Sequence, residues 1–543
     1  MACIHDHYKS RFYQLTMKTI LGYLALFLFT AYGCTNNQSA RQQKESIAIV
    51  NPVLPGDHPD PTVIKIGDTY WASATSNEWA PLFPIYRSTD LINWELVSYA
   101  FADLPQWARN NFWAPELAYD EAQNKVYLYY TARDKSTGRL AVAVASASSP
   151  EGPYTDHGPL VSQELGSIDA FEVKDDDGKI YLLWKEDGNS KGQPTPMWAQ
   201  EINSERTALQ GDKHQLFTND SEWEGRLVEG ISVFRHNDYY YATYSAGACC
   251  EVTCNYKTGV ARAKQLLGPW EKYDKNPVLV DNDHWKCAGH GTVVERDGNF
   301  YYLYHAYNQA GSVYVGREGV LEKINWTPDG WPVFANNARY DRDPASSDYR
   351  DDFSTMEPVW RWRVNQPAEY TVGDRGLFLT ASRANDGIGS LLVQPITSIN
   401  YEVTARLDAK TTDDQSGASV TMVGGANNRF GAPIAGIGIG VFGKEVRVWR
   451  IAKDDVQLLK AFPLTAEADS VTLKMAVSDG HMVDFSWNEG KEWQTGLQNY
   501  DAASLVPWGM GFRVGLAATG DGKSINIGQF EIRNSQASPS TKP

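Results

Sequence analysis

Positive charge is in short supply in this chain. Its 543 residues carry 50 Lys and Arg against 66 Asp and Glu, a formal net charge of −16. That excess of anions would repel nucleic acid and anionic lipid, so neither is expected as the main partner. A neutral sugar would feel no such repulsion. Long apolar runs are equally scarce: the one run of note, residues 19–33, is too short for a transmembrane helix. Cysteine is sparse, with six in all, and no CxxC pair with matching His supports a zinc site. Cys249, Cys250, Cys254 and Cys287 are available for disulfides in an exported chain, but their pairing cannot be read from spacing.

The short apolar run has the layout of an export signal. Met17-Lys18 supplies a basic start, and Gly33-Cys34 ends the run in the manner of a bacterial lipoprotein cleavage and lipidation site. Residues 1–34 are therefore expected to be a signal peptide, with Cys34 lipidated and the chain anchored to a Gram-negative envelope membrane. Ala31 stands where that motif usually has Leu, which keeps simple secretion as the alternative. Residues 35–48 read as a flexible tether. Because residues 35–40 have no acidic cluster, the periplasmic side is favoured over the outer surface.

Aromatic residues are plentiful, with 18 Trp and 29 Tyr, and they recur in a repeat. The clearest copy is Leu227-Val-Glu-Gly-Ile-Ser-Val-Phe-Arg-His-Asn-Asp-Tyr-Tyr-Tyr-Ala-Thr-Tyr244: an acidic residue, a short apolar strand, a turn and a Tyr-rich strand. The same grammar pairs Asp60 with Tyr70, Glu116 with Tyr127, Asp169 with Tyr181, Glu229 with Tyr240 and His290 with Tyr301. Successive tyrosines lie 57, 54, 59 and 61 residues apart. Hairpins at that period are the mark of a β-propeller, and five copies make five blades over residues 49–334. If the first strand of each blade is innermost, Asp60, Glu116, Asp169, Glu229 and His290 converge at one end of the central channel. Four carboxylates with an imidazole stabilise a fold poorly, because like charges raise each other's pKa, but they suit acid–base chemistry.

The same topology brings the loops at 75–84, 187–196, 246–258 and 306–312 to that end, together with the connections between blades. Trp79, Trp113 and Trp223 on these segments are candidates for stacking on a sugar ring. Tight turns such as Asp177-Gly178 and Asp297-Gly298 occupy the opposite end. The phrases ending in Trp94, Tyr154 and Trp270 read as structural turns at blade edges. Polar residues 335–350 mark a linker. Alternating strands over 351–535, with no helix of consequence, predict an antiparallel β-sandwich. Residues 536–543 read as a disordered tail. The expected fold class is all-β, a five-bladed propeller followed by that sandwich.

Five phrases carry a family resemblance: His58-Pro-Asp-Pro61, Phe112-Trp-Ala-Pro-Glu116, Ser167-Ile-Asp-Ala170, Val228-Glu-Gly230 and Asn325-Trp-Thr-Pro-Asp-Gly-Trp-Pro332. In this order, at propeller spacing, they resemble glycoside hydrolases of family 43, and the sandwich resembles the concanavalin-like domain of many β-xylosidases in that family. The resemblance implies Asp60 as general base, Glu229 as general acid and Asp169 as a third carboxylate that tunes and orients the acid. Inverting hydrolysis needs such a pair, one carboxylic acid and one carboxylate on opposite faces of the sugar. Glu116 is open between binding a sugar hydroxyl and bonding inside the channel. His290 resembles a central His near a metal ion or water network, so a structural Ca2+ beside it is admitted, although no cofactor is required. Arg317 resembles an Arg that faces the acidic site. The expected activity is exo-acting, inverting removal of a terminal pentose from an oligosaccharide, with β-D-xylose first. An α-L-arabinofuranosidase or galactosidase-like enzyme on the same scaffold is the alternative, and an idle sugar-binding propeller is a third. Fructan hydrolases are set aside because their Trp-x-Asn-Asp-Pro-Asn-Gly phrase is missing. The oligomeric state is left open.

Overall fold

The computed structural model describes residues 47–535 except 384–386, 425–433, 453–454, 466–467 and 507. The signal peptide, Cys34, nearly all of the tether and the tail at 536–543 lie outside the described residues. The described residues from Ala48 onward form one compact unit.

Among the described residues, five small antiparallel sheets follow one another in sequence. Blade I is built from Thr62–Ile66, Thr69–Ser73, Leu82–Ser88 and Glu95–Phe101, paired in that order. Blade II runs from Ala108–Asp120 to Thr155–Val161, blade III from Ser167–Lys174 to Leu209–Phe217, and blade IV from Val228–His236 to Glu271–Lys272. Blade V has Trp285–Arg296, Asn299–Asn308 and Arg317–Lys323. Its outer edge is covered by the start of the chain: Leu54 bridges Gly319, and the His58 amide donates to the Arg317 carbonyl at 2.7 Å. The first strand of each blade packs on that of the next, and Trp285–Arg296 packs back on Thr62–Ile66. The molecule is therefore a five-bladed β-propeller followed by a β-sandwich.

Local chemistry explains the blades. Asp297 and Gly298, both at positive φ (55° and 79°), make the two-residue turn whose twist matches flanking strands. The tyrosines of the repeat fill the gaps between blades: Tyr127 and Tyr129 pack with Leu182 and Trp184 across blades II and III. At the blade edges Trp94, Tyr154 and Trp270 each donate to a carbonyl three or four residues back, those of Leu91, Pro150 and Leu266, so these aromatics close their own turns.

The sandwich begins inside the stretch expected as a linker, because Tyr349–Asp351 already pairs with the strand Ser524–Asn534. A nine-stranded sheet containing Ser524–Asn534, Tyr401–Asp408 and Ser470–Ser478 faces a six-stranded sheet containing Gly417–Gly424 and Ala435–Phe442. Alternation decides the faces: Val403, Ala405 and Leu407 point into the shared core, while Glu402 and Arg406 point out. Propeller and sandwich are joined extensively. Trp362–Arg363 pairs with Trp79–Ala80, Tyr99 donates to the Pro358 carbonyl at 2.8 Å, and Arg513 lies 3.6 Å from Asp57. Among the described residues no helix is long and apolar enough to cross a membrane.

Candidate active site

Each inner strand has a residue in the left-handed region at or just before its start: Asp60 (φ 53°), Ala114 (42°), Asp169 (57°), Gly230 (61°) and His290 (40°), with Asn111 (59°) and Cys287 (56°) as second such residues in blades II and V. In blades II to V this residue sits where the register to the second strand slips. Such bulges re-aim side chains, and here they turn the ends of the strands toward the channel mouth. The pattern corrects the expected ring. Ala114 holds the blade II position, whereas Glu116 lies two residues further along its strand. There it accepts from Thr292 Oγ1 at 3.2 Å, and burial, opposed by the Thr62 and Thr292 hydroxyls, pushes its pKa up to about 8. Glu116 is thus a channel-filling residue that links blades II and V.

Asp60 is the most heavily bonded of the carboxylates. Arg317 Nη1 lies 3.0 Å from its Oδ1, and Thr75 donates to Oδ2 at 2.7 Å. Burial alone would raise its pKa, but Arg317 and His290 outweigh that and hold the carboxyl well below the usual range. His305 Nδ1 accepts the Asp60 amide at 3.0 Å. Burial and Arg317 lower the His305 pKa to about 4, so the ring is neutral at pH 7 and Arg317 is the counterion. His58 is structural: its ring contacts the Gly56 carbonyl and Tyr86 Oη, at 3.1 and 2.7 Å.

Glu229 sits across the mouth on blade IV, and two donors from neighbouring elements hold it. Lys185 Nζ is 2.7 Å from Oε2 and Tyr256 Oη donates to Oε1 at 2.9 Å. Lys185 is fully buried and also bonds Asp187 at 3.1 Å, so one cation serves two carboxylates. Asp169 lies beside this pair and accepts the Gly230 amide at 3.2 Å. Burial first, then the Glu229 and Asp60 anions, push its pKa up to about 7, against the opposing pull of His290 and Lys185. His290 Nδ1 stands between the acids, 3.4 Å from Asp60 and 3.9 Å from Asp169. Its place requires glycine at 230, since a Cβ there would come within 2.7 Å of the imidazole.

Asp60, Asp169, Glu229, His290 and Arg317 are therefore brought together. Two of the expected aromatic contacts are not. Trp79 is 1% exposed and packs under the sandwich against Leu391, Val393 and Met510, so it cannot stack on a sugar. The Trp223 ring lies on Gly259 and Tyr244, where it fills blade IV packing instead of facing the acids. Trp113 is half-buried next to Ala114, with Nε1 bonded to Asn77 at 2.8 Å. Lys185, Tyr256, His305 and Thr75 were not singled out from the sequence. A lysine or histidine inside an apolar second strand, as in Leu183-Trp-Lys185 or Tyr304-His-Ala306, was the available signal for two of them.

Two further segments crowd the mouth. The loop at 246–258 is cross-linked to blade V by Cys254–Cys287, with Cys249–Cys250 also paired. From the sandwich, the Gly509 amide donates to the Cys250 carbonyl at 3.2 Å, and its carbonyl accepts from Arg317 Nη2 at 3.0 Å. A Ca2+ beside His290 would have to compete for Asp60 with Arg317 and Thr75, which hold it at 3.0 and 2.7 Å.

A family model described as glycosyl hydrolases family 43 matches residues 49–332. A xylosidase/arabinosidase 43B of Humicola insolens is 29% identical over 308 residues, covering 53% of this chain and 55% of that protein. A xylan 1,3-beta-xylosidase of a Vibrio species is 29% identical over 324 residues, covering 53% and 57%. The chain thus spans little more than half the length of these curated relatives. Among solved structures, a xylan beta-1,4-xylosidase from Bacillus halodurans superposes with a TM-score of 0.74 at 22% identity, over 90% of this chain and all of that one, a likeness of fold.

Proposed function

The chain belongs to the glycosyl hydrolases of family 43, and from that premise we propose an exo-acting, inverting glycosidase that removes a terminal pentose, β-D-xylose first, from short oligosaccharides. One observation carries the reading: Asp60 on blade I is held ionised by Arg317, while on blade III burial and the neighbouring Glu229 anion push Asp169 up to about 7. Asp60 takes a proton from water as that water attacks the anomeric carbon, and Glu229 gives a proton to the departing oxygen. Release of that proton leaves two anions close together, and Lys185, Tyr256 and His290 are already oriented to stabilise them. The short bonds from Lys185 and Tyr256 favour the state after proton transfer, so they lower the barrier for departure of the leaving group.

Inversion is favoured because Asp60 and Glu229 come from different blades and share no hydrogen bond, with Arg317 and Lys185 as separate counterions. Exo attack is favoured by the cross-linked loop and the sandwich segment at Gly509 beside Arg317, which narrow the mouth on that side. The relatives act on more than one pentose and linkage by their names, so an α-L-arabinofuranosidase is the second reading. A panel of aryl β-xyloside, α-arabinofuranoside and β-galactoside substrates separates these. Proton NMR of the first product anomer tests the mechanism: a β-xyloside should release α-xylose, and first release of the β-anomer would remove the roles given to Asp60 and Glu229.

A further inference from the structure

The outer face of the nine-stranded sheet, away from the propeller core, carries a second polar–aromatic constellation. Trp493, on the edge strand Trp493–Thr495, is 45% exposed, one of few large apolar side chains in the described chain left so open. Lys474 reaches across the face to lie 4.7 Å from the centre of its ring. Beside them is a cleft of about 360 Å³ whose walls come from the outward residues of three adjacent strands, among them Arg406, Lys474, Gln529 and Arg533.

Its charge runs against the molecule. The chain as a whole is strongly acidic, yet this cleft has three cations against two carboxylates. Glu402 pairs with Lys474 at 3.5 Å and Glu531 with Arg533 at 2.8 Å. Arg406 has neither hydrogen bond nor ion pair among the described residues, so one guanidinium fork is left over. Its position depends on a β-bulge: the register between Tyr401–Asp408 and Ser524–Asn534 slips at Gly528, and the guanidinium lies over that glycine, 3.1 Å from where a Cβ would stand. A side chain at 528 would displace it.

An aromatic face, hydroxyl and amide groups along the strands, and one unpaired planar cation form a complementary set. The ring stacks on the C–H face of a sugar, Thr404, Thr472 and Gln529 meet hydroxyls, and Arg406 matches a carboxylate in two-pronged fashion. We propose that this face of the sandwich binds an acidic oligosaccharide, one bearing a uronate group, at a site separate from the propeller mouth. The proposal does not depend on which glycosidic bond the propeller cleaves.

Isothermal titration of the full chain, carrying Asp60→Asn to prevent turnover, with a glucuronate-substituted xylo-oligosaccharide and its unsubstituted counterpart tests it. The acidic glycan should bind more tightly than the neutral one. Adding Trp493→Ala should weaken binding of the acidic glycan about tenfold, the loss of one stacking contact. Adding Arg406→Gln should instead bring acidic and neutral affinities together. In the otherwise unaltered chain, each substitution should leave kcat/KM on an aryl glycoside within about twofold. Absence of hydrolysis there would indict the proposed activity and not this site. Equal affinity for both glycans, an acidic-glycan affinity that Trp493→Ala leaves unchanged, or a dimer that this substitution disperses would each overturn the proposal.

Discussion

The division of labour between carboxylates is set at single residues by what each one touches. Asp60 has Arg317, whereas Asp169 has burial and two neighbouring anions, and the same functional group is driven in opposite directions. If Glu229 delivers the proton, Glu229→Gln should lower kcat/KM by about 10²–10⁴ on substrates with a poor leaving group and by less than about tenfold on a dinitrophenyl glycoside. Equal losses on both would move the acid elsewhere. The pH profile gives a second check. Asp169 is pushed up to about 7, so kcat/KM should fall as pH rises through that value, where a second anion forms beside Glu229. With Asp169→Asn the neighbouring anion is gone, and Lys185 and Tyr256 remain on Glu229. The alkaline limb should then move to lower pH, which a profile from pH 5 to 9 would show.

At the level of strands, the bulge is the feature that turns a repeat into a site. A regular inner strand would send alternate side chains to opposite faces, and Asp169 and His290 could not both turn toward Asp60. Gly230 is the strictest of these positions, since it combines a φ of 61° with contact against the His290 ring. Gly230→Ala should cost about 1–2 kcal/mol of stability from backbone strain and also displace the imidazole. A lower Tm together with at least a tenfold drop in kcat/KM is expected, and a drop in Tm with unchanged kinetics would show that His290 has room to move. The repeat was legible in the sequence because hairpins impose turns and alternation locally. The bulges were not, because a left-handed Ala or Asp looks like any other. That is why Glu116, which keeps the spacing of the repeat, was expected in the ring and Ala114 was not.

For the molecule as a whole, the sandwich is part of the site's support. Trp79 is covered by Leu391, Val393 and Met510, Asp57 has Arg513 as its partner, and Arg317 bonds the Gly509 carbonyl. A chain ending at residue 345 would expose that apolar surface and leave Asp57 without Arg513. It should aggregate, or retain less than about a tenth of the full chain's kcat/KM, as measured on soluble monomer after size exclusion. Full activity from that fragment would show that the propeller holds Arg317 unaided. The sequence by itself determined the five blades and the following sandwich, and brought Asp60, Asp169 and Glu229 forward as candidates, because repeat spacing and short motifs are written in local order. Only the tertiary structure decided that Trp79 belongs to an interface, that Trp223 fills a blade, and that Lys185, Tyr256 and His305 stand around the acids. Those facts depend on which surfaces meet across distant parts of the chain, and burial, charge pairing and register between elements are properties of that meeting, absent from any one segment.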